Sequence, residues 1–322
     1  MISVQFFCEE LRRRGVEFFC GVPDSLLKDF CAYIDSSLQK SSGIAAITAV
    51  NEGAALALAA GHYLASNRIP LVFMQNSGLG NALNPLLSLC DRDVYGIPAL
   101  LLIGWRGEPG DHDEPQHITQ GRLTCPLLET SGIPYLVMAD TENALCGQLD
   151  EVFRTLRLTG APVALVVRKA AFAPWKPPPA ENTLPASREE AIEQIMLSSP
   201  LDFFFSTTGM ASRELYELRE KHGMGHGRDF LTVGSMGHAS SIALGAALAR
   251  PDAAITCLDG DGAALMHLGA FASIGVLSPP NLRHIVLNNG SHDSVGGQPT
   301  VAFSIDLGAI ARASGYKHIH RA

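Results

Sequence analysis

Leu258-Asp259-Gly260-Asp261-Gly262 and Asn288-Asn289, with the segment between them, decide how this chain reads. Residues 253–258, Ala-Ala-Ile-Thr-Cys-Leu, form a short apolar run bounded by Pro251 and Gly260, which suits a strand buried on both faces of a parallel sheet. Residues 284–287, His-Ile-Val-Leu, read the same way. Residues 263–277 between them are apolar and close on Ser278-Pro279-Pro280, so a helix is expected there. A strand-helix-strand crossover sets Asp261 and Asn289 at the carboxyl ends of two parallel strands, facing one crevice. Mg2+ prefers oxygen ligands and commonly combines one or two protein groups with phosphates and water, so a carboxylate and an amide oxygen leave room for a diphosphate. Gly260 and Gly262 would let the turn approach those phosphates closely. Taken alone, the same residues read equally well as a surface turn followed by an ordinary Asn-Gly turn at Asn289-Gly290.

Two other phosphate-binding patterns are excluded. A dinucleotide fingerprint started at Gly260 would need glycine where Leu265 stands, and no Gly-Lys dipeptide occurs, so there is no P-loop. The length of 322 residues suggests about two domains. No apolar run approaches the ~20 residues of a membrane span. The amino terminus places its Arg12-Arg13-Arg14 cluster after the apolar residues, the reverse of a secretory signal. Seven cysteines without a Cys-x-x-Cys pattern suit buried free thiols in a cytoplasmic protein. A net charge of -8 gives no reason to expect nucleic acid, and an anionic substrate would need a local basic pocket.

From the amino terminus, a helix over 4–14 leads to a strand at 16–20 and then to Gly21-Val22-Pro23-Asp24-Ser25. Asp24 or Ser25 can cap the helix beginning at Leu26, and Asp24 also stands where a strand end would aim it into a ligand crevice. A strand over 44–50 runs into Asn51-Glu52-Gly53 and a small-residue helix over 54–64, where Glu52 in the first turn favours the helix dipole. Strand 70–74 precedes the polar loop 75–81 and a helix over 82–90; strand 98–103 precedes a long polar loop, 105–121, which contains Arg106, Gln116 and His117. A loop of that length inside a compact domain is usually functional. The prolines of 171–187 mark a linker. Helix 188–197, strand 202–206, helix 212–221 and helix 239–248 follow, the last preceded by Gly234-Ser235-Met236-Gly237-His238.

Gly260-Asp261-Gly262, 25 residues and then Asn288-Asn289 resembles the diphosphate-binding signature of thiamine diphosphate enzymes. The resemblance covers nearly the whole chain. Gly-Val-Pro-Asp-Ser at 21–25, Trp-Arg-Gly-Glu-Pro-Gly with Asp-Glu-Pro-Gln-His in 105–117, and the run 288–300 are similar to thiamine diphosphate-dependent 2-oxoacid decarboxylases. It implies an α/β fold of two doubly wound parallel-sheet domains without a middle domain: a pyrimidine-binding domain, 1–170, a linker, 171–187, and a diphosphate-binding domain, 188–322, whose last helix and strand are expected to be missing after a strand begins near Tyr316. It implies Mg2+ held by Asp261, Asn289 and the carbonyl of Ser291, with Gly262 beside the diphosphate. Glu52 would bond N1′ of the aminopyrimidine, Met236 would wedge beneath the cofactor, the carbonyl of Gly234 would accept from the 4′ amino group, and Ser235 would be among the cofactor contacts. Asp24 and His117 are candidates for proton transfer; Ser25, Arg106, Gln116, His117 and His292 for holding the substrate. The implied substrate is a 2-oxoacid with a phosphonate group, 3-phosphonopyruvate, converted to phosphonoacetaldehyde and CO2 in phosphonate biosynthesis. Sulfopyruvate is the nearest rival, and a non-catalytic cofactor-binding protein the rival of another class. A homodimer or higher assembly with shared active sites follows from the same resemblance.

Overall fold

The computed structural model describes residues 1–35, 45–176 and 184–322. It divides into two compact units, residues 1–180 with 295–298, and residues 181–294 with 299–322.

In the first unit six strands, β1 (Phe18–Gly21), β2 (Ala45–Thr48), β3 (Leu71–Gln75), β4 (Leu100–Gly104), β5 (Tyr135–Val137) and β6 (Val163–Val167), lie in the order β2-β1-β3-β4-β6-β5, every pair parallel. Alternate residues of these strands fall into two separate apolar clusters. Phe19, Leu71, Phe73, Leu100, Leu102 and Leu165 pack on one face, whereas Cys20, Val72, Met74, Leu101, Ile103 and Val166 pack on the other. Both faces of the sheet are therefore covered by helices, which is why the strands are apolar throughout rather than alternating. Truncating Leu101 or Leu102, both fully buried, to alanine should cost about 2–5 kcal/mol. The chain visits β2 on one side of β1 and then returns to β3 on the other, so the crevice above β1 and β3 is a topological switch point.

The second unit repeats the plan with β7 (Phe203–Ser206), β8 (Asp229–Leu231), β9 (Ile255–Gly260) and β10 (Leu282–Leu287), parallel in the order β10-β9-β7-β8. Its switch point lies between β7 and β9. Phe204 and Leu258 face one cluster; Ile255 and Cys257 face the other, with Phe203 and Phe205 packed against it.

Several sequence-based boundaries shift. The helix expected over 263–277 is two helices, Asp261–Met266 and Ala270–Leu277, broken where His267 leaves helical backbone and Gly269 starts the next turn. Of the polar stretch 75–81, Gln75 ends β3 and the rest is helical, with a tight turn at Asn76–Gly78 running into helix Leu79–Pro85 and a π-type turn over Leu86–Cys90. The loop from 105 ends at Glu114, because Pro115 opens a helix, Pro115–Thr130, at the one position where its missing N–H costs nothing. Residues 316–322 form no strand. Of the expected linker, 177–183 lie outside the described residues, while Ala171 and Phe172 are buried in the first core and Ile2 bridges to Phe172. Five of the seven cysteines are buried and all are free among the described residues. Among the described residues no helix is long and apolar enough to cross a membrane.

Candidate active site

At the first switch point the loops after β1, β3 and β4 and the start of helix Glu52–Ser66 gather polar side chains. Asp24 is fully buried; one carboxylate oxygen caps the turn by accepting from Leu26 N at 3.1 Å, and the other, Oδ1, has no partner. The carboxylate sits on β4: a Cβ at Gly104 would lie 2.0 Å from Asp24 Oδ2. Burial pushes the Asp24 carboxyl up to about 6, opposed by the Leu26 N–H and the charge of Arg106. Arg106 Nη1 donates to Ser25 Oγ at 2.7 Å, and its fork grips Asp113, with Nε on Oδ2 at 2.8 Å. That pair holds Asp113 well below the usual carboxylate range. It also closes the loop 107–112 at its base.

His117, in the first turn of helix Pro115–Thr130, is buried with Nδ1 unpartnered. Burial, then the Arg106 charge, lowers its pKa, which favours the neutral ring. Gln116 Oε1, beside it in sequence, is likewise buried without a partner. Asn76 ties these loops together: its Nδ2 donates to the carbonyl of Arg106 at 2.8 Å and to Thr124 Oγ1 at 2.9 Å.

Glu52 is 5% exposed, and its pKa is raised by burial. Its Oε2 accepts from Asn81 Nδ2 at 2.8 Å. Only glycine fits opposite, since a Cβ at Gly78 would stand 2.4 Å from Glu52 Oε1. A buried carboxyl with so few hydrogen bonds and a raised pKa suits a group that shares a proton with a heteroaromatic nitrogen.

In the second unit the β9–β10 register pairs Gly260 with Leu287, so Asp261 and Asn288 leave the sheet side by side. Asp261 is 2% exposed and no lysine or arginine pairs with it among the described residues. Burial raises its pKa against the Thr300 hydroxyl and the backbone N–H groups of Gly262 and Asn289. Asn289 is therefore within hydrogen-bonding reach of the carboxylate through its backbone. Its side-chain Oδ1 accepts from Ser291 N at 3.1 Å, and its Nδ2 donates to Asp293 Oδ2 at 2.7 Å. A buried carboxylate with hard oxygen neighbours and no cationic side chain fits a divalent cation.

Gly262 faces His292, whose Cε1 would lie 2.7 Å from a Cβ there, and Met236 Cε lies 3.5 Å from the same point. His292 is pushed down to about 4 by burial, so it is a neutral ring. It can donate to a substrate anion but not neutralise it. Ser235 is exposed and holds a left-handed backbone, φ 53°, that turns the chain at Gly234-Ser235-Met236.

The structure thus gathers Asp24, Ser25, Arg106 and His117 at the loops of one sheet, with Glu52 at a neighbouring helix start. It gathers Asp261, Gly262, Asn289, Ser291, Met236 and His292 at the other. Sequence reading missed Asn76, Asn81, Asp113, Thr300 and Asp293. Asn76 and Asn81 lay in a stretch already noted as polar, whereas Asp113 and Asp293 looked like ordinary loop acids.

Comparison with known proteins agrees with this geometry. Residues 3–125 match the family model described as thiamine pyrophosphate enzyme, N-terminal TPP binding domain, and residues 207–321 match the C-terminal TPP binding domain of the same enzymes. The chain belongs to the thiamine diphosphate-dependent decarboxylase family, and its cofactor is thiamine diphosphate. Within that class it is 35% identical to phosphonopyruvate decarboxylase of Streptomyces hygroscopicus, over 99% of this chain and 81% of the relative. It is 36% identical to that of Streptomyces viridochromogenes, over 99% and 82%. A sulfopyruvate decarboxylase of Methanosarcina acetivorans is 31% identical over 96% and 82%.

Proposed function

We propose that this chain removes CO2 from 3-phosphonopyruvate without oxidation, giving phosphonoacetaldehyde, with thiamine diphosphate and Mg2+ as cofactors. The observation that carries the reading is the likeness to two phosphonopyruvate decarboxylases along 99% of the chain, at 35% and 36% identity. Residues 1–170 would bind the pyrimidine and 188–322 the diphosphate. Asp261, Asn289 and the carbonyl of Ser291 would hold the metal, with Gly262 against the diphosphate, Met236 under the cofactor, the carbonyl of Gly234 at its amino group and Ser235 among the cofactor contacts.

When bound, thiamine diphosphate supplies the electron sink that lets the carboxylate leave as CO2. The protein's own part is positioning and proton traffic. Glu52 holds a proton against the pyrimidine nitrogen, helped by the burial that raises its pKa. Asp24, poised near pH 6, can give up a proton to the carbon that lost CO2 and take one back, the property wanted of a general acid working near neutrality. His117, neutral, relays or positions that proton. Ser25, Gln116 and His292 offer neutral hydrogen bonds to substrate oxygens, and Arg106 supplies the positive field, tempered by Asp113. By family resemblance the active enzyme is a homodimer or larger, each site shared between subunits.

Release of CO2 measured in parallel on phosphonopyruvate and sulfopyruvate tests the substrate. A clear preference for sulfopyruvate would overturn this choice; no turnover of either, with cofactor still bound, would favour a non-catalytic binding protein.

A further inference from the structure

A side-chain amide is symmetrical in shape but not in chemistry: only Oδ1 can ligate a hard cation, and half a turn would aim an N–H at it instead. Something must therefore choose the orientation of Asn289. Its Nδ2 donates to Asp293 Oδ2 at 2.7 Å, while Oδ1 takes the Ser291 N–H and keeps a lone pair free. The same Asp293 oxygen accepts from Arg188 Nη1 at 2.8 Å. Arg188 is in turn clamped by Glu214, with Nε on Oε2 at 2.8 Å and Nη2 on Oε1 at 2.9 Å. Its own position is set at the first turn of helix Arg188–Ser198, where Ser187 and Glu190 form a reciprocal capping box. The chain of contacts thus runs from a capped helix start to one amide nitrogen.

We propose that Asp293, held by Arg188, is a positioning residue that, together with the Ser291 N–H, fixes the amide of Asn289 with its oxygen toward the metal. The proposal rests on reading Asn289 as a Mg2+ ligand. An acceptor on Nδ2 fixes the amide plane and excludes the flipped state, because the flip would set Asn289 Oδ1 against the Asp293 carboxylate. Partners of metal ligands in this role commonly carry a 10–100-fold share of metal affinity.

The test is thiamine diphosphate binding by titration calorimetry across a Mg2+ series, with melting temperatures recorded for every variant. Asp293→Ala is expected to raise the half-saturating Mg2+ concentration about tenfold. A carboxylate at the ligand position has oxygen at both ends and needs no orienting. In an Asn289→Asp background, removing Asp293 should therefore change half-saturation by less than about twofold, or lower it by relieving repulsion. No rise in Asp293→Ala alone would overturn the proposal. An equal rise in both backgrounds would also overturn it, since that is what a general scaffolding role gives. Wild-type Mg2+ dependence in Asn289→Ala is the separate result that removes the ligand reading, and the proposal with it.

Discussion

The two switch points share a plan and differ in what they do with a buried acid. Above β1 and β3, Glu52 and Asp24 are carboxyls kept out of water, with an amide or a backbone N–H as principal partner, and both have raised pKa values. Between β7 and β9, Asp261 is just as buried and its pKa is likewise raised, but its partners are the Thr300 hydroxyl and backbone N–H groups, and no lysine or arginine pairs with it among the described residues. The first arrangement suits groups that keep or exchange a proton; the second suits a carboxylate that a divalent cation would hold ionised. Parallel sheets put loops at the same place each time, and the chemistry comes from what those loops bring.

Glu52→Gln should give the largest effect and the sharpest division. The expected loss in kcat is on the order of 1,000-fold with cofactor affinity within a few-fold of wild type, read from steady-state kinetics beside calorimetry. If cofactor affinity collapsed and kcat per bound site survived, Glu52 would belong with the binding groups instead.

Asp24 yields a prediction in stability. Its pKa rises from 3.8 to about 6 on folding, so the folded state holds this proton more tightly. The advantage is complete below about pH 4 and is lost as pH climbs through 6. Asp24→Asn carries no such charge, and so should gain on wild type across that window, by up to about 3 kcal/mol above pH 6. Denaturant melts at pH 4 and pH 7.5 measure the difference; equal gaps at both would show that Asp24 is not ionising in a buried place. Activity should fall in the same variant.

On the proposed ligand set, Asp261→Ala should weaken Mg2+-dependent cofactor binding on the order of 100-fold, with folding intact, because Asp261 would be its one charged protein ligand. Calorimetry with and without Mg2+ reads it, and retained metal dependence would remove the contrast between the two regions. The smallest effect belongs to Asn81→Ala, which strips Glu52 of its amide partner: about 1–2 kcal/mol of stability and a several-fold drop in kcat.

Much of this was legible in residue order. Strands buried on both faces announce themselves as unbroken apolar runs, and acids or amides just beyond them fall at the crevice by topology alone; Asp24, Asp261 and Asn289 were found that way. What escaped has local causes. The turn at His267–Gly269 breaks a segment whose composition is uniformly apolar, so periodicity could not mark it. Strand β8, three residues from Asp229 to Leu231, is too short to show a pattern. Asn81 and Asp113 matter through partners 29 and 7 residues away, Glu52 and Arg106, and such pairings exist only once the chain has folded.

Within the loop that the Arg106–Asp113 clasp closes before the helix start at Pro115, only the crown, residues 109–112, is exposed, whereas Gly107 packs against the carbonyl of His117 and Glu108 pairs with Arg168. The helix that begins at Pro115 carries Gln116 and His117 in its first turn, apart from that crown. Lengthening or shortening the crown costs little, since loop closure depends only weakly on loop length. The exposed crown is thus a place where the sequence can vary while the first turn that carries Gln116 and His117 stays as it is.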